Sequence, residues 1–225
     1  MPIVTRRTLR SIVTTIFNGL IHIQFSGLDN IPPTGGCILA TNHLSRLDTP
    51  LILMAVERND LSALVTDKYR NNPLFALFVD VSDSIWINRD IADYKAIRAG
   101  LEHIKRGGIL GIAPEGTRSR NGQLLEAKSG VALIAEKAGV PIVPVGIHGT
   151  EDTMSKLTHL QRPNIHASFG KPFSLAPIDH KDRESSILRN TDEIMCRIAV
   201  LLPEKYHGYY SGHPRILELL QGMDS

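Results

Sequence analysis

Short apolar runs recur along this 225-residue chain, each closed off by glycine, proline or a polar cluster, and segments of helical spacing lie between them. The runs are Cys37–Thr41, Leu61–Thr66, Ile109–Ala113, Val140–Ile147 and Ile165–Phe169. They are too short for buried helices and have the length of strands. Ile21, Ile23 and Phe25 alternate with His22, Gln24 and Ser26, the pattern of a half-buried strand, and Val81–Asn88 is also strand-like. Helices are predicted from Pro50 to about Arg58 with Asp48 or Thr49 as N-cap, and over Ile91–Lys105, Lys128–Lys137 and Ser185–Leu202. Pro73–Phe78 reads as a short helix or turn. Strands alternating with helices require a sheet with crossover connections. The expected fold class is therefore α/β: a single domain with a central mixed, mostly parallel sheet flanked by helices. The prolines of Val140–Ile147 suggest an edge or bent strand there.

The first twenty residues stand apart. Leu9, Ile12, Val13, Ile16, Phe17 and Leu20 follow helical spacing, and Arg7, Arg10, Thr14 and Asn18 fall on the other side. The organisation read from this is an amphipathic helix over 1–22 and the main domain over 23–225. Either the helix packs on its own domain, or it lies in a membrane interface with its arginines near anionic headgroups. Polar residues interrupt its apolar face, so a cleaved signal is not expected. No apolar run reaches the roughly eighteen residues of a membrane span. A net charge of +2 is too small to point to nucleic acid. Two cysteines, Cys37 and Cys196, form neither a disulfide framework nor zinc spacing, which suggests a reducing compartment and no metal.

Candidate chemistry gathers where strands end. His43 follows Cys37–Thr41 after Asn42, and Asp48 comes after four intervening residues. A histidine accepts protons near neutrality, and a carboxylate on its other nitrogen sets the tautomer and stabilises the imidazolium. Residues five apart do not share a helix face, so this pairing requires His43 to lie in a loop that folds back on Asp48. The alternative is a surface histidine followed by an N-cap aspartate. Ala113–Gly122 is rich in donors, including Thr117, Arg118, Ser119 and Arg120. It suits a phosphate or an oxyanion, or else is a polar turn. Arg89 ends the strand that holds Trp86 and faces either a ligand or an ion-pair partner. Val140–Val145 lines an acyl channel or simply packs in the core.

Taken in order, Asn42-His43 with Asp48, Trp86-Ile87-Asn88-Arg89, Pro114-Glu115-Gly116-Thr117-Arg118-Ser119 and Val140-Pro141-Ile142-Val143-Pro144-Val145 resemble the four blocks of the glycerolipid acyltransferases, most closely those of bacterial 1-acyl-glycerol-3-phosphate type. Weaker resemblance continues through Phe169–Pro172 and Leu202–Tyr210. The resemblance implies that His43 is the general base and Asp48 its orienting partner. It further implies that Lys68, Arg89, Glu115, Gly116, Thr117 and Arg118 bind the acceptor. Ser84 stands near a position where the family commonly has glycine, which leaves the shape of the acceptor pocket open. The implied partners are a lysophospholipid acceptor, acyl-CoA or acyl carrier protein as donor, and a membrane surface met by the N-terminal helix at its cytoplasmic face. No cofactor and no metal are implied. Direct transfer to the acceptor hydroxyl agrees with the lack of a serine elbow. Acylation of glycerol-3-phosphate or another lysophospholipid, hydrolysis, and a non-catalytic membrane-binding module remain as alternatives.

Overall fold

The computed structural model describes residues 5–91 and 93–222. Among these, β1 (His22–Ser26), β2 (Cys37–Thr41), β3 (Leu61–Thr66), β4 (Ile85–Ile87), β5 (Ile109–Ile112), β6 (Ile142–His148) and β7 (Asn164–Phe169) form one sheet in the order β1-β7-β6-β2-β5-β3-β4. Every neighbouring pair is parallel except β6–β7. The helices are α1 (Arg6–Leu20), α2 (Asp48–Ala55), α3 (Pro73–Val81), α4 (Tyr94–Lys105), α5 (Gly130–Ala138), α6 (Thr153–Thr158), α7 (Arg183–Ala199) and α8 (Pro214–Gln221). The fold is the expected α/β class with a mostly parallel mixed sheet.

Both faces of the sheet are covered, so its central strands are apolar throughout. On β2, Ile38 and Ala40 join a core with Ile104 of α4, Ile134 of α5 and Ile194 of α7. Cys37 and Leu39 point the other way, into a core with Leu51 of α2, against which Phe78 of α3 and Leu9 and Phe17 of α1 pack. Helix α2 lies between the sheet and α1 and is therefore apolar on most sides, with Leu51, Ile52, Leu53 and Ala55 all buried. The two cysteines are free and buried.

Five expectations are corrected. Val140–Ile147 is no edge: β6 lies between β2 and β7. Pro144 is tolerated because the ladder to β7 breaks there. Pairing stops at Val145–Phe169 and resumes at the isolated bridge Ile142–Phe173, and the Pro144 carbonyl takes the Gly170 N–H at 2.8 Å. The strand expected over Val81–Asn88 shrinks to Ile85–Ile87, because α3, capped by the Asn72 side chain, runs on to Val81. Helix α4 begins at Tyr94, after Asp93, whose Oδ1 accepts from the Ala96 N–H at 3.1 Å. Ile91 is exposed ahead of it, and Ala92 lies outside the described residues. Finally, Asp48 is not a cap: Leu47 holds that position and the Asp48 carboxylate turns backwards. Helix α5 starts two residues later than expected and is closed by Gly139 at φ +61°.

Helix α1 packs on its own domain and leaves part of its apolar face uncovered. Leu9 and Phe17 pack against the core, while Ile12, Ile16 and Leu20 stay 47–50% exposed on one ridge. Arg6 and Arg10 turn towards the domain. Arg6 donates to the carbonyls of Asn59, Leu61 and Ser82, and Arg10 to those of Val56 and Glu57. Among the described residues, no helix is long and apolar enough to cross a membrane.

Candidate active site

Five parallel strands end at one edge of the sheet, and the loop after each contributes to one site. In open α/β sheets this carboxyl edge is where ligands bind, because loops there are free to carry chemistry. His43 and Asp48 follow β2, Lys68 and Tyr69 follow β3, and Arg89 follows β4. Glu115, Gly116, Thr117 and Arg118 follow β5, and Thr150 follows β6.

His43 does fold back on Asp48. Its Nδ1 lies 2.8 Å from Asp48 Oδ2. The same oxygen accepts the backbone N–H groups of Leu44 and Ser45, each at 2.8 Å, and Oδ1 accepts the Thr150 hydroxyl at 2.7 Å. Asp48 is 2% exposed, so this carboxylate is held in a dry, fully hydrogen-bonded socket. An ionised carboxylate only accepts, so Nδ1 carries the proton and Nε2 keeps its lone pair. The peptide of His43 is pinned as well. Its N–H donates to Glu115 Oε1 at 2.9 Å, and its carbonyl accepts from the Ser119 N–H at 2.8 Å. Just before it, the buried Asn42 side chain exchanges two 2.8 Å bonds with the Ile147 backbone, extending the β2–β6 contact past the last strand residue.

Glu115, grouped by the resemblance with acceptor-binding residues, is 2% exposed. Its second oxygen accepts the Leu125 N–H at 2.9 Å. The geometry is that of a brace between two loops. Burial pushes its carboxyl up to about 7, with the nearby Asp48 charge adding to the rise, against the two amide N–H groups that pull it down.

The other candidates surround a cavity of about 550 Å³ that His43 also lines. Arg89 reaches across it and donates to the Gly116 carbonyl at 2.9 Å. Burial lowers the Arg89 guanidinium below its usual range. Gly116 has φ +67°, a conformation that side-chain-bearing residues rarely adopt, and the end of the Lys128 side chain lies against the place a Cβ would occupy. Thr117 lies on the cavity wall, and Lys68 sits at its exposed side, paired with Asp90 at 3.2 Å. Arg118 Nη2 contacts the Tyr69 hydroxyl at 3.3 Å. Arg46, Arg89, Arg118 and Lys128 all line the cavity, and none has a carboxylate partner among the described residues. A narrower apolar slot of about 70 Å³ runs behind His43, walled by Leu39, Ile52, Leu53, Leu61, Leu64 and Phe78. Val143 and Val145 line neither cavity and pack in the core. Among the described residues, no cluster of metal-ligating side chains exists.

Sequence reasoning missed Thr150, Tyr69, Arg46 and Lys128. Thr150 had one available signal, a polar residue at the end of an apolar strand; Arg46 lies inside the His43–Asp48 block and Tyr69 next to Lys68, whereas Lys128 lies at a helix approach with no motif around it.

These features define a class: an α/β protein whose carboxylate-oriented imidazole opens on a cavity lined with unneutralised cations. The model of the Acyltransferase family matches residues 22–148, more than half of the chain, and the chain belongs to that family. It is 30% identical over 142 residues to the 1-acyl-sn-glycerol-3-phosphate acyltransferase of Borreliella burgdorferi, covering 60% of this chain and 55% of that one. It is 21% identical over 173 residues to the enzyme of the same name from Bacillus subtilis, covering 77% and 84%. The chain thus spans only about half the length of the Borreliella relative and of a similarly named probable enzyme from Mycoplasma pneumoniae. In fold it is similar to the 1-acyl-sn-glycerophosphate (LPA) acyltransferase of Thermotoga maritima, with a TM-score of 0.63 at 24% identity over 84% of this chain and 78% of that one.

Proposed function

We propose that this protein moves a fatty acyl group from an acyl thioester, acyl-CoA or acyl carrier protein, to the free hydroxyl of 1-acyl-glycerol-3-phosphate, yielding phosphatidic acid. One observation carries the reading: His43, in the tautomer set by Asp48, shares a cavity with Arg89 and Arg118, which have no carboxylate partners among the described residues. The names of the family relatives agree with it.

In this mechanism the acceptor phosphate sits among the cations, which places the free hydroxyl beside His43. Nε2 takes the hydroxyl proton as the oxygen attacks the thioester carbon. Asp48 stabilises the imidazolium that forms. The tetrahedral intermediate collapses, the C–S bond breaks, and the thiolate leaves with the proton from His43. No acyl-enzyme forms. A positioned base is worth about 10²–10⁴-fold, and holding both substrates together adds to it. Glu115 acts by holding the His43 loop, whereas Lys68, Gly116, Thr117 and Arg118 face the acceptor.

Thiol release from acyl-CoA is the direct test. Release should rise at least about tenfold on adding lysophosphatidate, with phosphatidic acid as product. Release that ignores the acceptor would mark a hydrolase. If release depends on an acceptor other than lysophosphatidate, the headgroup assignment is wrong.

Helix α1 is the element that would hold the enzyme on a bilayer, at its cytoplasmic face. Its ridge of Ile12, Ile16 and Leu20 is the apolar surface left over after packing. Replacing all three with serine should cut co-flotation with anionic vesicles at least about tenfold while the fold survives, because Leu9 and Phe17 still pack. Equal flotation of the two proteins would remove α1 from this role.

A further inference from the structure

Tyr69 sits between two guanidinium groups. Its hydroxyl lies 3.3 Å from Arg118 Nη2 and 3.4 Å from Arg46 Nη2. The Arg46 guanidinium also lies over the Tyr69 ring, 5.0 Å from its centre. Phe75 stacks on the same ring, with the ring centres 4.9 Å apart. Arg46 comes from the loop after β2, Tyr69 from the turn after β3 and Arg118 from the loop after β5, so three separate segments converge on one oxygen.

Two guanidinium groups repel each other, and a fold brings them to one atom only where something offsets the repulsion. No carboxylate does so among the described residues. The phenol oxygen is a weak substitute. Burial alone would raise the Tyr69 phenol, but Arg46 and Arg118 outweigh it and hold it below the usual tyrosine range. Arg46 is exposed on its outer side and lines the same cavity as His43 and Arg89. Thr66 in that wall adds a hydroxyl without a partner among the described residues. Two planar forks aimed at one point fit the several oxygens of a phosphomonoester, which offers two charges where a phosphodiester offers one.

We propose that Arg46 is a second phosphate-binding guanidinium beside Arg118, and that Tyr69 is the strut that fixes their spacing, so that the pair selects acceptors ending in a phosphomonoester. The resemblance assigns no role to Arg46 or Tyr69. The inference rests on the acyl-transfer reading for its kinetic arm, while its binding arm stands apart from it.

The kinetic arm compares three acceptors with one acyl-CoA donor: lysophosphatidate, lysophosphatidylglycerol and monoacylglycerol. Arg46→Gln should raise the lysophosphatidate KM about 10- to 100-fold, the worth of one charge-assisted hydrogen bond, with kcat within a few-fold. The loss of kcat/KM on monoacylglycerol should be far smaller, so the preference for the phosphomonoester collapses. Arg46→Lys should recover only part of the loss, since it keeps the charge and loses the fork. Tyr69→Phe should raise the same KM several-fold, as a positioning residue would. Equal losses on all three acceptors, or an unchanged lysophosphatidate KM in Arg46→Gln, would overturn the proposal.

The binding arm needs no turnover. Calorimetry with dodecyl phosphate should give an affinity at least about tenfold weaker in Arg46→Gln than in the wild type. Equal affinities would overturn the clamp. If the wild type acylates none of the acceptors from either acyl-CoA or acyl carrier protein yet loses dodecyl phosphate binding in Arg46→Gln, the clamp stands and the acyl-transfer reading falls.

Discussion

Replacing His43 with alanine should lower kcat by about 10²–10⁴-fold and leave the KM for both substrates within a few-fold. The reason is the division of work in the site. His43 is the group whose free nitrogen can take the acceptor proton, whereas the phosphate would be held by other side chains, Arg89 and Arg118 on separate loops and Arg46 three residues along the same loop, which the substitution leaves in place. The substitution should also be mild for stability. Asp48 loses the imidazole but keeps the N–H groups of Leu44 and Ser45 and the Thr150 hydroxyl. The His43 peptide keeps its own bonds to Glu115 and Ser119, which do not involve the side chain. Steady-state kinetics in both substrates, with a melting curve as control, reads this directly. Near-normal kcat in a folded His43→Ala protein would end the general-base mechanism. A trapped acyl-enzyme in the wild type would do the same, because direct transfer forms none.

Asp48 should show two separable effects. Asp48→Ala removes the acceptor of three backbone or side-chain donors in a buried socket, besides the imidazole. Leaving such donors unpaired costs about 1–3 kcal/mol each, so destabilisation of about 3–5 kcal/mol is expected and the protein should melt well below the wild type. Asp48→Asn should be far gentler on the fold. Its amide oxygen can serve the Leu44, Ser45 and His43 donors, and its NH₂ can donate to Thr150, whose hydroxyl reverses role. What it lacks is charge. The imidazolium formed during attack loses its counter-ion, and kcat should fall about 10²-fold, the upper worth of a hydrogen bond to a charged group. Chemical denaturation of both variants, alongside kinetics of Asp48→Asn, separates the effects. Wild-type kcat in Asp48→Asn would show that the carboxylate charge plays no part in turnover.

The contrast between these variants also shows why the site was only partly legible in sequence. That His43 and Asp48 belong together was readable, since both lie in one short loop and helix start. How Asp48 is held was not. Besides orienting His43, it was open to use as an N-cap, a local role that many aspartates at helix starts fill. The tertiary fold instead brings Thr150, 102 positions away, onto Oδ1 and turns Oδ2 back to Leu44 and Ser45. Glu115 has a similar history. In sequence it sits among donors that suit a phosphate, yet in the fold both its oxygens are taken by backbone N–H groups. A window of neighbouring residues contains no trace of the Leu125 and His43 amides that decide this. Of the two readings of the Pro144 strand, edge or bent, the edge failed for the opposite reason. A general rule about proline in sheets was applied without knowing that the β6–β7 ladder opens at that residue.

What the sequence by itself determined is the alternation of strands and helices, their approximate limits, and the position of His43, Arg89 and Arg118 at strand ends. Side-chain periodicity, proline and glycine chemistry and apolar run length act over a few residues, so they survive without a fold. The tertiary structure alone decided the strand order, and with it which loops stand side by side. Only because β2, β3 and β5 are neighbours do Arg46, Tyr69 and Arg118 meet on one oxygen within the cavity that His43 lines. Such contacts depend on the closure of long loops, whose partners no local pattern specifies.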